Sequence, residues 1–212
     1  TELWPTTSYT VWANNSGGSA STTVNITIND VLPNGLGYSP PDMILTKGTA
    51  MTTNIPSVSG GSVTSWEISP TFTNGLSFNS SNGAISGTPN ILQTTAVMYT
   101  IWANNSGGST SANVNITIND AAPFVCYGEC TGPHLLKFAQ NVTINTVLPK
   151  YAQHIGHGIP TSCSTSPSLP SGLSISPTCV ITGTPTVLSS YSFYDVIATN
   201  SGGSNTNPNA LY

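Results

Sequence analysis

The chain has 212 residues, of which only three are lysine or arginine and seven are aspartate or glutamate, giving a formal net charge of −4. Three basic residues cannot neutralise a run of phosphates or form a polybasic patch, which excludes nucleic-acid binding and attachment to an anionic membrane surface. Serine, threonine and asparagine contribute 29, 31 and 21 residues, so the polar surface is largely uncharged. The 37% of hydrophobic residues, with four tryptophans and eight tyrosines, predict a folded chain rather than a disordered one.

Two patterns bear on membrane insertion and secretion. No apolar run approaches the roughly 20 residues that a membrane span needs. The chain opens at Thr1 without a charged and then apolar signal segment. We therefore expect a mature product or a piece of a longer protein, with no membrane span in this segment.

An internal repeat organises the chain. Residues 9–30 recur at 99–120 with 18 of 22 positions identical, and a weaker third copy opens at Tyr194. A second marker, residues 75–89, returns at 172–185. These repeats predict three parts: residues 1–30 are the last strands of an incomplete module or strands donated to another subunit, 31–120 is a complete module, and 121–212 is a divergent one.

The complete module contains patterns typical of strands. Short runs at 43–46, 50–55, 63–69, 76–79 and 84–86 are bounded by proline, glycine or asparagine. Two longer runs follow, with alternating apolar residues, and the turn Asn-Ser-Gly-Gly at 105–108 joins them as a hairpin. About seven short strands in about 90 residues predict an all-β chain of tandem immunoglobulin-like (Ig-like) β-sandwich modules. The predicted core comprises Trp66, Trp102, Tyr99, Ile101, Val114, Ile116 and Ile118.

Three motifs carry a family resemblance: Gly-Leu-Ser-Phe at 75–78, Ile-Ser-Gly-Thr-Pro at 85–89 and Asn-Ser-Gly-Gly at 105–108, with counterparts in the last module. With them, nearly the whole chain resembles the "putative Ig" tandem repeat family of bacterial and archaeal cell-surface proteins, whose modules are cadherin-like. The resemblance implies the fold. It does not specify a function, because such modules serve as stalks, adhesin spacers and appendage subunits.

The four cysteines, all in the second half, predict disulfides and an oxidising compartment, because their spacing does not give the two close pairs of a zinc site. Four cysteines allow three pairings. In the repeat alignment Cys163 stands where Trp66 stands, and Cys179 falls near the position of Gly83. We therefore expect a Cys163–Cys179 disulfide, with Cys126 and Cys130 closing a small loop.

Six Asn-x-Ser/Thr sequons are candidate sites for N-linked glycans: Asn14, Asn25, Asn79, Asn104, Asn115 and Asn141. Asn25 and Asn115 lie on the polar face of a predicted strand, so a glycan there would not disturb the core. The alternative is that these asparagines are merely solvated amides.

Enzymatic chemistry has little support in the sequence. His134, His154 and His157 are the only histidines, and no serine lies in a Gly-x-Ser-x-Gly elbow. We expect no enzyme, no cofactor and no metal site, with a plain loop around His154 and His157. Asp30 and Asp120 end successive modules, where Ca²⁺ is the alternative to a simple polar junction.

These patterns together predict an extracellular structural protein that builds a surface stalk, filament or sheath. Its expected partners are copies of itself or neighbouring modules, with assembly by strand donation as one route. The alternative is an adhesin or carbohydrate-binding array, for which an exposed aromatic patch containing Trp4, Tyr127 or Tyr151 would be the sign.

Overall fold

The computed structural model describes residues 3–128, 135–144, 146–149, 157–190 and 192–211, and these ranges contain fifteen β-strands. The described residues include no helix that is long and apolar enough to cross a membrane. The all-β prediction is confirmed.

The strands begin and end where glycine, proline and asparagine interrupt the alternating pattern. In chain order they are β1 (Trp4–Asn15), β2 (Gly18–Ile28), β3 (Pro33–Gly37), β4 (Asp42–Thr46), β5 (Ser57–Gly60), β6 (Ser65–Ser69), β7 (Leu76–Phe78), β8 (Ile85–Gly87), β9 (Gln93–Asn105), β10 (Gly108–Asn119), β11 (Ser162–Ser166), β12 (Leu173–Ile175), β13 (Ile181–Gly183), β14 (Tyr194–Asn200) and β15 (Gly203–Leu211).

The strands form small sheets. In the first half, β1 and β2 form a two-stranded sheet, a four-stranded sheet has the order β4-β10-β9-β6, and β3-β5 and β7-β8 form two further two-stranded sheets. In the second half, the orders are β11-β14-β15 and β12-β13. The strand predicted at 50–55 is wrong, because only Asn54 pairs there, through an isolated bridge to Ile85.

Contacts divide the chain into two compact units: Thr1–Met43, Ala50–Thr88 and Ala96–Ile116 form one, and Ile44–Thr49, Pro89–Thr95 and Thr117–Tyr212 form the other. The module limits predicted from the repeats at residues 30 and 120 stay a prediction.

The core of the first unit lies beneath β9 and β10. Period-two alternation turns one face of these strands inward, and Tyr99, Ile101, Val114 and Ile116 are accordingly buried. Ile118, at the end of β10, is buried as well.

Trp66 of β6 is also buried, and its ring lies against the backbone of Gly83. A Cβ atom at Gly83 would come within 2.5 Å of that ring, and the residue has a φ of +73°. Glycine is therefore required both by the close contact and by the left-handed backbone. The hydroxyl of Tyr38 donates a hydrogen bond to the Gly83 carbonyl at 2.6 Å. Burial raises the pKa of Tyr38.

The structure corrects the prediction for Trp102. This residue lies between inward-facing Ile101 and Ala103, so strand alternation places its side chain on the opposite face, where it is half-buried and pairs with Glu67. Trp66 alone of the two tryptophans belongs to the core.

The second unit repeats this plan around Val125, Tyr127, Cys179, Ile181, Val196, Ala198 and Leu211. Cys163 pairs with Ala198 in the β11–β14 ladder, in the same register that joins Trp66 to Ala103 in the β6–β9 ladder. The hydroxyl of Tyr127 donates to the Cys179 carbonyl, as Tyr38 does to Gly83.

Candidate interaction site

The first hairpin, β1 and β2, is the most distinctive surface of the described chain. Its strands pair antiparallel with Tyr9 opposite Val24 and Ala13 opposite Ala20, and the register shifts once between Trp4 and Thr7. The hairpin turn is Asn15-Ser16-Gly17-Gly18.

One face of this hairpin carries core-type side chains that are exposed. Val11 is 53% exposed and Ile26 is 45% exposed, whereas their counterparts 90 positions later, Ile101 and Ile116, are both 0% exposed. Tyr9, Val24 and Ile28 show the same contrast with Tyr99, Val114 and Ile118. The two hairpins are nearly identical in sequence, so the difference lies in what covers them.

The predictions did not single out these face residues. The signal was present in the sequence, because each residue matches a predicted core residue in the second copy.

The opposite face of the hairpin is polar. The hydroxyl of Ser8 donates to Oδ1 of Asn25 at 2.6 Å, and the hydroxyls of Thr6 and Thr27 bond at 2.7 Å. Trp12 also lies on this face and is 63% exposed.

The predicted glycan sites lie at or near the surface. Four of the asparagines are exposed and two are half-buried: Asn14, Asn25, Asn79 and Asn141, and then Asn104 and Asn115. Nδ2, the atom that carries an N-linked glycan, donates to Glu67 from Asn104 at 3.3 Å and to Asp42 from Asn115 at 2.8 Å. Glycosylation stays a prediction.

Cys163 and Cys179 form a disulfide with a Cα–Cα distance of 5.2 Å. It takes the place of the contact between Trp66 and Gly83 in the first unit. Cys179 keeps the left-handed backbone of its counterpart, with a φ of 60°. Cys126 is disulfide-bonded, and Cys130, its expected partner, lies outside the described residues.

The junction aspartates use their carboxylates locally. Oδ1 of Asp30 accepts a hydrogen bond from the Val31 amide at 2.9 Å, and Oδ1 of Asp120 accepts one from Ala121 at 3.1 Å. The described residues bring together no group of three or more histidine, cysteine or acidic side chains around a metal-sized space.

The plain loop predicted around His154 and His157 is only partly described, because the structure describes His157 but not His154. Nδ1 of His157 lies 3.2 Å from the Ala122 carbonyl, and its ring packs on Phe124 at a centroid distance of 5.5 Å. His134 and His154 lie outside the described residues.

Two of the three aromatic residues proposed for carbohydrate stacking, Trp4 and Tyr127, lie in the described part of the chain. Tyr127 is 1% exposed, so the structure excludes it from a sugar-binding surface. Trp4 is exposed, and its ring Nε1 donates to the Thr7 hydroxyl at 2.9 Å. Tyr151 lies outside the described residues.

The second unit also contains a cavity of about 390 Å³. Its walls are mostly apolar and include Leu169, Leu173 and Tyr194, with Lys137 among its polar residues. In the first unit the ring of Phe72 packs on Tyr99 at a centroid distance of 4.7 Å. Leu169 replaces Phe72 in the repeat alignment, and a smaller side chain at this place leaves room.

A family model described as "Putative Ig domain" matches residues 31–119 and 130–211. No curated protein matches the chain.

Among solved structures, several tandem-domain proteins match the chain. The I-band fragment I67–I69 from titin is 19% identical with a TM-score of 0.47, and the alignment covers 97% of this chain and 74% of that one. The N-terminal eight Ig domains of Down Syndrome Cell Adhesion Molecule are 17% identical with a TM-score of 0.49, covering 97% and 28%. Human protocadherin-24 EC1-2 is 12% identical with a TM-score of 0.39, covering 85% and 94%.

Proposed function

Because this chain belongs to the family of the "Putative Ig domain", we propose that it is an extracellular structural protein whose Ig-like modules build a stalk, filament or sheath. The proposed modules are residues 31–120 and 121–212, and residues 1–30 supply the closing strands of a further sandwich. Of the two expected partners, a neighbouring module and a copy of this chain, we take the copy as the one that completes that sandwich.

The exposed face of the first hairpin is the observation that carries this proposal. A two-stranded hairpin is at best marginally stable in water. Fully burying a valine or isoleucine side chain is worth about 1.5–3 kcal/mol. The face residues, such as Val11 and Ile26, are already about half covered, so covering each of them fully would add about 1 kcal/mol. Five such residues provide about 5 kcal/mol of burial free energy, which offsets part of the entropy cost of association.

Two further features support an extracellular location. Stable disulfides form and persist in oxidising compartments, and the Cys163–Cys179 bond anchors the core of the second unit. The outward strand positions carry amides and hydroxyls rather than charges, as in the Ser8–Asn25 and Thr6–Thr27 pairs. Such a surface packs against its own copies without charge repulsion and accepts N-linked glycans.

Sedimentation velocity of the full chain over a range of concentrations tests the proposal. We expect the chain to self-associate, and Ile26→Asn, which places an amide on the apolar face, to shift it to monomers. Trp12→Ser is the matched control, since it removes a larger apolar side chain from the opposite face and should leave association unchanged. Equal weakening by both variants, or a wild-type chain that stays monomeric at every concentration, would contradict the proposal. Electron micrographs of the native material should show filaments or sheaths.

A further inference from the structure

Two short sequence patterns recur together along the chain. The turn Asn-Ser-Gly-Gly occurs at 15–18, 105–108 and 200–203. The segment Asn-Asp-Xaa-Xaa-Pro occurs at 29–33 and 119–123. In the structure, each of these segments lies on one of the turns.

In the first unit the segment is held by two side chains of the turn. The Asp30 amide donates to the Ser106 hydroxyl at 2.9 Å, and the Asn105 side-chain amide donates to the Val31 carbonyl at 2.7 Å. Both bonds engage the backbone of the segment, so they fix its path.

The second unit contains the same two bonds. The Asp120 amide donates to the Ser201 hydroxyl at 2.9 Å, and the Asn200 side-chain amide donates to the Ala121 carbonyl at 2.7 Å. The turn therefore holds the same kind of segment twice, with the same atoms and nearly the same distances.

The glycine after the serine makes this contact sterically possible. A Cβ atom at Gly107 would lie 2.0 Å from the Asp30 carbonyl oxygen, and one at Gly202 would lie 2.1 Å from that of Asp120. Only a residue without a side chain lets the carbonyl approach so closely.

The first turn has the same internal shape but a different environment. The Gly17 amide donates to Oδ1 of Asn15 at 2.7 Å, and the matching bonds at Gly107 and Gly202 are both 2.8 Å. Among the described residues, the Asn15 side chain is all that a Cβ at Gly17 would meet, at 3.3 Å. The turn is thus preorganised, with its serine and glycine exposed.

We infer that the Asn15–Gly18 turn is a docking site for a polypeptide segment of the sequence Asn-Asp-Xaa-Xaa-Pro. The aspartate amide of the segment donates to the Ser16 hydroxyl, and the carbonyl of the residue after the aspartate accepts from the Asn15 side-chain amide. The aspartate carbonyl itself lies on Gly17. This inference rests on the proposed function in that a partner chain engages the same hairpin, but it concerns the turn and not the apolar face.

The inference is tested by titrating the ¹⁵N-labelled full chain with a synthetic peptide of residues 28–34, followed by NMR. We expect saturable shifts of the Ser16, Gly17 and Gly18 amides, with a dissociation constant of about 1–10 mM, because few hydrogen bonds carry the contact. The turns at 105–108 and 200–203 should not respond, because their own segments already cover them.

Two matched changes make the test specific. In the free chain the Cβ of Gly17→Ala would meet Oδ1 of Asn15 at 3.3 Å, which a small movement of that side chain relieves. The variant should weaken binding at least tenfold through its clash with the peptide carbonyl. A peptide with proline in place of aspartate lacks the donor N–H and should not bind. Absence of saturable shifts, or equal affinity for Gly17→Ala, would overturn the inference. The Ile26→Asn chain should still bind the peptide. A wild-type chain that stays monomeric but binds the peptide would fail the proposed function and leave this inference standing.

Discussion

Gly107 and Gly17 occupy the same position in two turns of identical sequence, 105–108 and 15–18. Comparing them tests quantitatively how the turn at 105–108 holds the segment 29–33. In the Gly107→Ala variant, the new Cβ would lie 2.0 Å from the Asp30 carbonyl oxygen and 2.9 Å from the Leu32 amide nitrogen. Both are backbone atoms, so the segment must move off the turn. The Gly17→Ala variant is the matched control, because its Cβ would meet only the flexible Asn15 side chain.

The expected cost follows from the bonds that the displacement breaks. Losing the hydrogen bonds of Ser106 and Asn105 to the segment costs about 1–3 kcal/mol. Replacing glycine by alanine also restricts the unfolded chain, which raises the free energy of unfolding by about 0.4–1 kcal/mol. With the strain of overpacking, we expect Gly107→Ala to lower the free energy of unfolding by about 2 kcal/mol. Gly17→Ala should leave it unchanged or raise it by about 0.5 kcal/mol.

Tryptophan fluorescence during urea unfolding measures this difference. All four tryptophans lie between residues 4 and 102, so the signal follows the first half of the chain. A free energy of unfolding for Gly107→Ala within about 0.5 kcal/mol of that for Gly17→Ala would refute the steric reasoning.

Two further predictions concern the second unit and the buried tyrosines. Cys163→Ser should destabilise the second unit by about 3 kcal/mol, because the disulfide closes a loop of roughly 15 residues. Circular dichroism should show that the second unit melts at a lower temperature, while unfolding followed by tryptophan fluorescence stays unchanged. Unaltered melting would contradict the anchoring role of the disulfide. Burial raises the pKa of Tyr38 and Tyr127 above the usual 10.0, so their contribution to stability is fully present below pH 10 and is lost as the pH rises further. Urea unfolding between about pH 8 and pH 11 should show this loss, and Tyr127→Phe should reduce the loss in the second unit. A free energy of unfolding whose pH dependence is the same in Tyr127→Phe and in the wild-type chain would contradict this prediction.

Local pattern sufficed for much of the fold. Alternation alone identifies the inward residues Tyr99, Ile101 and Val114, and the repeat alignment places Cys163 opposite Cys179. The same alternation, applied strictly, assigns Trp102 to the outer face, so its placement in the core gave too much weight to side-chain size.

Other features depend on information that a single strand does not contain. The exposure of Val11 depends on what covers the hairpin, because Ile101 has nearly the same sequence around it and is buried. The contact of Gly107 with Asp30 joins residues 77 positions apart. It was nevertheless signalled by two motifs that recur together, which a search for paired repeats would find.

The exchange of a tryptophan–glycine contact for a disulfide has a practical consequence for producing the protein. The anchor of the first unit, Trp66 on Gly83, forms in any redox environment. The anchor of the second unit, Cys163–Cys179, requires thiol oxidation. Expression in a reducing cytoplasm should therefore give chains in which the first unit is folded and the second unit is sensitive to proteases. Expression in a secretory host should give chains in which both units are folded.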